Sequence, residues 1–90
     1  MQQRNEKTLL FANTVGEVIA DLRLNKKLSI NKFAHEYDLD VGNTSRVEKG
    51  SIEVKLVTFW KIAEALEMQP SLLIKKIEQK LGKNFHFYEE

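Results

Sequence analysis

The chain carries a succession of apolar stripes separated by short polar breaks, and each stripe has a helical period. Val15, Val18, Ile19 and Leu22 recur at the spacing of one helix face. Thr14 and Glu17 form a capping box, which predicts that the first helix starts near Thr14. Lys26 and Lys27 suit the negative end of a helix dipole and predict its end. Met1 to Lys7 reads as a frayed lead-in. Thr8-Leu9-Leu10-Phe11 either extends the first helix backwards or folds over the core as a separate turn. Ser29 can cap a second helix over 30–37, with Phe33, Ala34 and Tyr37 at helical spacing. Asp38-Leu39-Asp40 interrupts, and Asp40 can cap a third helix over 41–49 that carries Thr44, Val47 and Glu48 and closes at Gly50. After the linker Ser51 to Val54, a fourth helix presents Leu56, Phe59, Ile62, Ala63 and Leu66 as a buried face. Pro70 suits the first turn of a fifth, where its missing N–H has no helical partner to lose. Leu73, Ile77 and Leu81 carry the last stripe to Gly82, a C-terminal cap.

The second and third helices, joined by a tight turn and ended by a glycine, describe a helix-turn-helix. That motif lays its second helix in the major groove of DNA. Together with Gly16-Glu17-Val18-Ile19, Leu22-Arg23, Leu56, Lys61 to Leu66 and Leu72 to Ile74, the stretch Leu28 to Gly50 resembles the lambda-repressor-like, or XRE, helix-turn-helix family of bacterial and phage regulators. The likeness runs from Gly16 to Ile74 without an insertion. It implies an all-α, five-helix DNA-binding domain, dimeric, with no enzymatic activity. The expected organisation is an N-terminal extension over 1–13, the DNA-binding domain over 14–82 and a short tail over 83–90. That tail holds Phe85-His86-Phe87-Tyr88 and is either disordered or an aromatic arm packed on this or a partner chain.

Composition narrows the class but not the function. Ninety residues at 42% hydrophobic make one small domain. Without cysteine there is no disulfide framework and no thiolate metal site, which suits a reducing cytoplasm. The longest uncharged run near the N-terminus, Thr8 to Gly16, is too short and too polar for a signal peptide or membrane span. A net charge of +1 does not by itself announce a nucleic-acid binder. His35 and His86 lack an acid or cysteine at ligand spacing, so no metal or other cofactor is expected. The four glycines form no phosphate loop, and no catalytic set can be assembled.

The resemblance assigns roles to particular residues. Val41, Gly42, Ser45 and Arg46 occupy the positions at which the family reads bases. Arg46 is the strongest of them, since a guanidinium can donate two hydrogen bonds to guanine O6 and N7. Val41 offers a contact to a thymine methyl, and Gly42 permits close backbone approach. Many relatives place glutamine where this chain has Ile30, so that phosphate contact is lost or moves to Asn31 or Lys32 at the start of the second helix. Asn43, Lys49 and Lys55 lie where the family approaches the sugar-phosphate chain, contacts that set affinity and salt dependence rather than sequence. Local acids, Glu36, Asp38, Asp40, Glu48 and Glu53, oppose binding. Glu48 is expected to pair with Arg23 and lock the recognition helix to the scaffold. Thr44 replaces a large aliphatic residue facing the core; its hydroxyl can bond back to the carbonyl four residues earlier.

Trp60, Leu72 and Ile74 are surplus to the core faces and are expected to form a homodimer contact. A dimer sets two recognition helices about one DNA turn apart on a near-palindrome. The leading reading is therefore a small stand-alone transcription regulator, sequence-specific for double-stranded DNA, with no membrane association and no small-molecule substrate. A phage repressor, a restriction-modification controller or an antitoxin-type autoregulator all fit. The rival, motivated by Ile30, Val41, Gly42 and the near-neutral charge, is a helix-turn-helix scaffold that has lost DNA reading and serves as a protein-interaction module.

Overall fold

A computed structural model describes residues 5–88. Among them are five helices and no strand: α1 (Glu6–Asn25), α2 (Ile30–Glu36), α3 (Val41–Glu48), α4 (Leu56–Ala65) and α5 (Pro70–Leu81). The first helix begins eight residues ahead of the capping box at Thr14. Asn5 is its N-cap and accepts from the Thr8 N–H at 2.7 Å. Thr14 lies buried inside the helix, with its hydroxyl donating to the Leu10 carbonyl at 2.8 Å. A threonine in mid-helix satisfies itself in that way, so the capping pattern had a second solution. Thr8 to Phe11 thus extends the helix backwards. Of the expected frayed lead-in, Asn5 to Lys7 form the cap and first turn, whereas Met1 to Arg4 lie outside the described residues.

Three of the helix ends use the left-handed region without glycine. Lys27 (φ 61°), Asp38 (φ 56°) and Glu67 (φ 60°) each reverse the chain after α1, α2 and α4. In each case the next N–H returns to a carbonyl five residues back: Leu28 to Arg23, Leu39 to Ala34, Met68 to Ala63. These bonds satisfy last-turn carbonyls that would otherwise lack partners. Ser29 and Asp40 cap α2 and α3 with side-chain oxygens, accepting from Lys32 N–H at 3.1 Å and Asn43 N–H at 2.6 Å.

Helix α1 packs on α3 and α5, α2 on α3, and α4 on α5. Val15, Val18 and Ile19 of α1 meet Phe33, Val47, Phe59, Ile62, Leu73 and Ile77 in one core. Leu56 departs from the expected buried face of α4. It stands at the first helical position and is 69% exposed, and burial starts one turn later at Phe59. Thr44 is buried and donates to the Asp40 carbonyl at 2.8 Å, so its hydroxyl is satisfied within its own helix.

The aromatic end of the chain folds back on α1. Phe85 and Phe87 stack edge-on at 5.0 Å and both face Phe11, at 6.2 and 5.5 Å between ring centroids. This cluster covers the part of α1 that precedes Thr14. Glu89 and Glu90, the end of the expected tail, lie outside the described residues.

Candidate nucleic-acid interface

The C-terminal end of α3 is held against α1 by close backbone contact. A Cβ on Gly16 would fall within collision distance of the Glu48 carbonyl oxygen and 2.5 Å from that of Val47. Gly50 closes α3 at φ 73°, a conformation that favours glycine, and a Cβ there would collide with Asn13. Two glycines on two elements therefore let the helices approach more closely than any side chain would allow.

A buried ion pair reinforces this contact. Arg23 Nε donates to Glu48 Oε2 at 2.8 Å and Nη2 donates to Oε1 at 3.0 Å, with the side chains 10% and 8% exposed. The fork geometry matches a carboxylate with two parallel bonds. Arg23 Nη1 also donates to the Leu28 carbonyl at 2.7 Å, tying in the start of the helix-turn-helix. The hydrogen bond to Glu48 raises the guanidinium pKa above its ordinary value, burial opposes the rise, and the charge of Glu48 adds to it. Glu48 is thus engaged by the scaffold and does not face solvent as a free acid.

Toward the opposite end of α3 one face stays open to solvent while the other packs on the core and α2. Val41, Gly42 and Arg46 are exposed and Ser45 is half-buried, while Thr44 and Val47 on the other face enter the core. The structure thereby brings the four proposed base-reading residues onto one outward face. Arg46 forms no ion pair among the described residues. Asn31 and Lys32 are exposed in the first turn of α2, Lys49 at the C-cap of α3 and Lys55 at the N-cap of α4. Asn43 is half-buried, and its N–H is already used by the Asp40 cap. The acids Glu36, Asp38 and Asp40 are exposed around the turn between α2 and α3, with one oxygen of Asp40 committed to that cap.

A separate apolar groove lies between α4 and α5. It is lined by Leu56, Phe59 and Trp60 on one side and by Pro70 and Ile74 on the other. Leu56, Val57 and Trp60 continue onto the adjoining surface of α4. Leu72 is exposed but does not line this groove: it flanks buried Leu73 on the opposite side from Ile74, about 200° away around the helix. The three residues expected to act together are thus split, and Leu56 and Pro70 join the groove instead. Leu56 fits the apolar period of α4, and only its place at the very start of the helix signals that it is exposed. The Gly16 approach was also legible, since a glycine inside an otherwise helical stripe signals a close neighbour. No helix among the described residues is long and apolar enough to cross a membrane, and no group of three or more metal-ligating side chains occurs among them.

Comparison with known proteins bears on this architecture. The crystal structure of the restriction-modification controller protein C.AhdI from Aeromonas hydrophila is similar with a TM-score of 0.65. It is 34% identical, over 69% of this chain and 94% of that one. The chain belongs to the lambda-repressor-like helix-turn-helix family. Two structures of the clp gene regulator ClgR from Corynebacterium glutamicum share its fold at 17% identity, each with a TM-score of 0.72. They cover 80% and 79% of this chain, and 94% and 76% of their own. No family model and no curated protein matches the chain. Within that family fold, α2 and α3 correspond to the helix-turn-helix.

Proposed function

We propose that this protein is a sequence-specific transcription regulator that binds duplex DNA as a homodimer, with α3 in the major groove. The observation that carries the reading is the division of α3 into two ends. Its last turn is anchored on α1 through Gly16, Gly50 and the Arg23–Glu48 pair, while Val41, Gly42 and Arg46 stand exposed. An element entering a groove needs such a free leading end, and its bases are read by side chains there. Arg46 is the principal reader, with Ser45 and Val41 beside it. Asn31, Lys32, Asn43, Lys49 and Lys55 supply phosphate contacts, and neutralising each phosphate releases counterions. The groove of Leu56, Trp60, Pro70 and Ile74 is the dimer contact, because a continuous exposed apolar surface marks an interface. Among the settings open to such a regulator, the 34% identity to C.AhdI favours control of restriction-modification genes.

The test is selection of bound duplexes from a random library, followed by anisotropy titration of the winners across salt. Enrichment of a near-palindrome with half-sites about 34 Å apart, and affinity falling steeply with salt, is the expected result. Arg46→Ala then relaxes one base position in each half-site. If nothing enriches and no duplex binds at low salt, the proposal fails. The exposed groove around Trp60 then favours the protein-interaction module, and a partner would be sought there.

A further inference from the structure

Helix α1 has two starts written into it, and the structure uses the earlier one. Asn5 caps the helix, while Thr14 and Glu17 keep the spacing of a capping box inside it. Both box residues are engaged elsewhere. The Thr14 hydroxyl donates to the Leu10 carbonyl at 2.8 Å, and Glu17 Oε2 lies 3.3 Å from Lys80 Nζ on α5. The hold on α1 changes at the same place. From Thr14 to Ile19 every residue but Glu17 is buried, and Gly16 lies close against the carbonyls of Val47 and Glu48. From Glu6 to Asn13 only Ala12 is buried, and Leu9 and Leu10 are exposed. Phe11 is the other apolar anchor of this stretch. It is half-buried against the core and faces the rings of Phe85 and Phe87, at 6.2 and 5.5 Å between centroids.

We propose that the aromatic end of the chain is a latch that selects the start of α1. Docked on Phe11 it holds the helix from Glu6, and released it lets the helix retreat to the capping box at Thr14. Unwinding the first turns of a helix creates a new end whose N–H groups lack partners, which opposes fraying. At Thr14 the box removes part of that penalty. The Thr14 hydroxyl turns from the Leu10 carbonyl and accepts from the Glu17 N–H, while the Glu17 carboxylate leaves Lys80 and accepts from the Thr14 N–H. Leu9 and Leu10, already exposed, lose little by release. Past Thr14 the buried face and the Gly16 approach stop the retreat. Asn13 belongs to the released stretch and lies against Gly50 at the close of α3. The latch therefore couples the last residues of the chain to the anchored end of α3.

The experiment reads helix population residue by residue from backbone Cα chemical shifts in the full chain and its variants. Phe85→Ala combined with Phe87→Ala is expected to lower the ratio of long to short α1 by roughly tenfold or more. Helical shifts then fall over 6–13 and stay as in wild type over 18–25, which also shows that the variant is folded. Adding Thr14→Ala removes the cap of the short form and is expected to restore the long form by about fivefold. Thr14→Ser keeps a capping hydroxyl and leaves α1 short. Should the double variant fail to fold, Phe87→Ala alone, which leaves Phe85 facing Phe11, gives the same reading at smaller amplitude. Helical shifts retained over 6–13 without the rings overturn the proposal. So does a loss that runs past Glu17 into the buried part of α1, or equal behaviour of Thr14→Ala and Thr14→Ser.

Discussion

Replacing Arg23 with alanine removes three hydrogen bonds at once and leaves a carboxylate behind. Two of the bonds go to Glu48, at 2.8 and 3.0 Å, and the third to the Leu28 carbonyl at 2.7 Å. Glu48 is 8% exposed, so water cannot fully replace the lost donors. Removing one partner of a buried ion pair costs about 3–5 kcal/mol, because the remaining charge stays desolvated. A domain of this size is stable by only about 5–15 kcal/mol. At about 4–8 °C of melting temperature per kcal/mol, the expected fall is roughly 12–40 °C.

The assay is thermal and urea unfolding followed by helical circular dichroism. Changing both partners to apolar residues of similar size, Arg23→Met with Glu48→Leu, should be less damaging than Arg23→Ala, because no buried charge is left unpaired. The raised Arg23 pKa contributes stability that is fully present below the ordinary arginine value and is lost only as pH rises through the higher folded one. Titration of Arg23 therefore adds no pH dependence near neutrality. A midpoint for Arg23→Ala within about 5 °C of wild type, equivalent to roughly 1 kcal/mol or less, would refute the reasoning.

Further outcomes follow from other contacts. Gly16→Ala must push α1 away from the Val47 and Glu48 carbonyls, and should cost about 1–3 kcal/mol by urea unfolding despite the better helix propensity of alanine. Phe87→Ala removes two ring pairs and should cost about 1–2 kcal/mol, whereas Tyr88→Ala, fully outside the cluster, should stay within about 0.5 kcal/mol. Glu67 has its pKa lowered by the hydrogen bond and charge of Lys26. Its contribution is therefore present above the ordinary carboxylate range and lost as pH falls through the lowered value; Glu67→Gln should flatten that part of the stability profile. Trp60→Glu should shift the sedimentation of the proposed dimer to monomer, with thermal unfolding of the monomer preserved because Trp60 is half exposed.

The helix-turn-helix was legible because each signal in it is local. Ser29 and Asp40 cap the helices that follow them, and the i, i+4 bond of Thr44 depends on its own turn alone. The start of α1 was misplaced for a complementary reason. Thr14 and Glu17 carry a valid local pattern, yet Asn5 offers an earlier cap, and burial of Phe11 by Phe85 and Phe87 stabilises the extension. That burial links the two ends of the chain and leaves no mark in either segment alone. Leu56 shows the same limit, since periodicity cannot tell whether a neighbouring element covers the first turn of a helix. Splitting Leu72 from Ile74 required only the helical angle between them.

Apart from Thr44, which faces the core, the departures expected from the family pattern fall on one side of a mechanical division. Glycines at 16 and 50 and the Arg23–Glu48 pair concentrate the anchoring of α3 at its C-terminal turn. At the leading end the chain has Val41, Gly42 and, on the preceding helix, Ile30, residues whose side chains carry no polar group to offer a base or phosphate. Rigid seating at one end makes this economy workable. On the proposed DNA reading, a helix fixed at its base presents Arg46 in a defined direction, so that few side-chain contacts are needed to establish register. A helix loosely held along its whole length would need each of those contacts to orient it. Weakening the base should therefore harm discrimination more than a second substitution at the tip. Comparing Arg23→Lys, which keeps the charge but loses the fork, with Val41→Ala on the selected duplex separates the two. Greater loss of discrimination from the tip substitution, with both variants fully folded at the assay temperature, would show that the seating of α3 is not what directs Arg46.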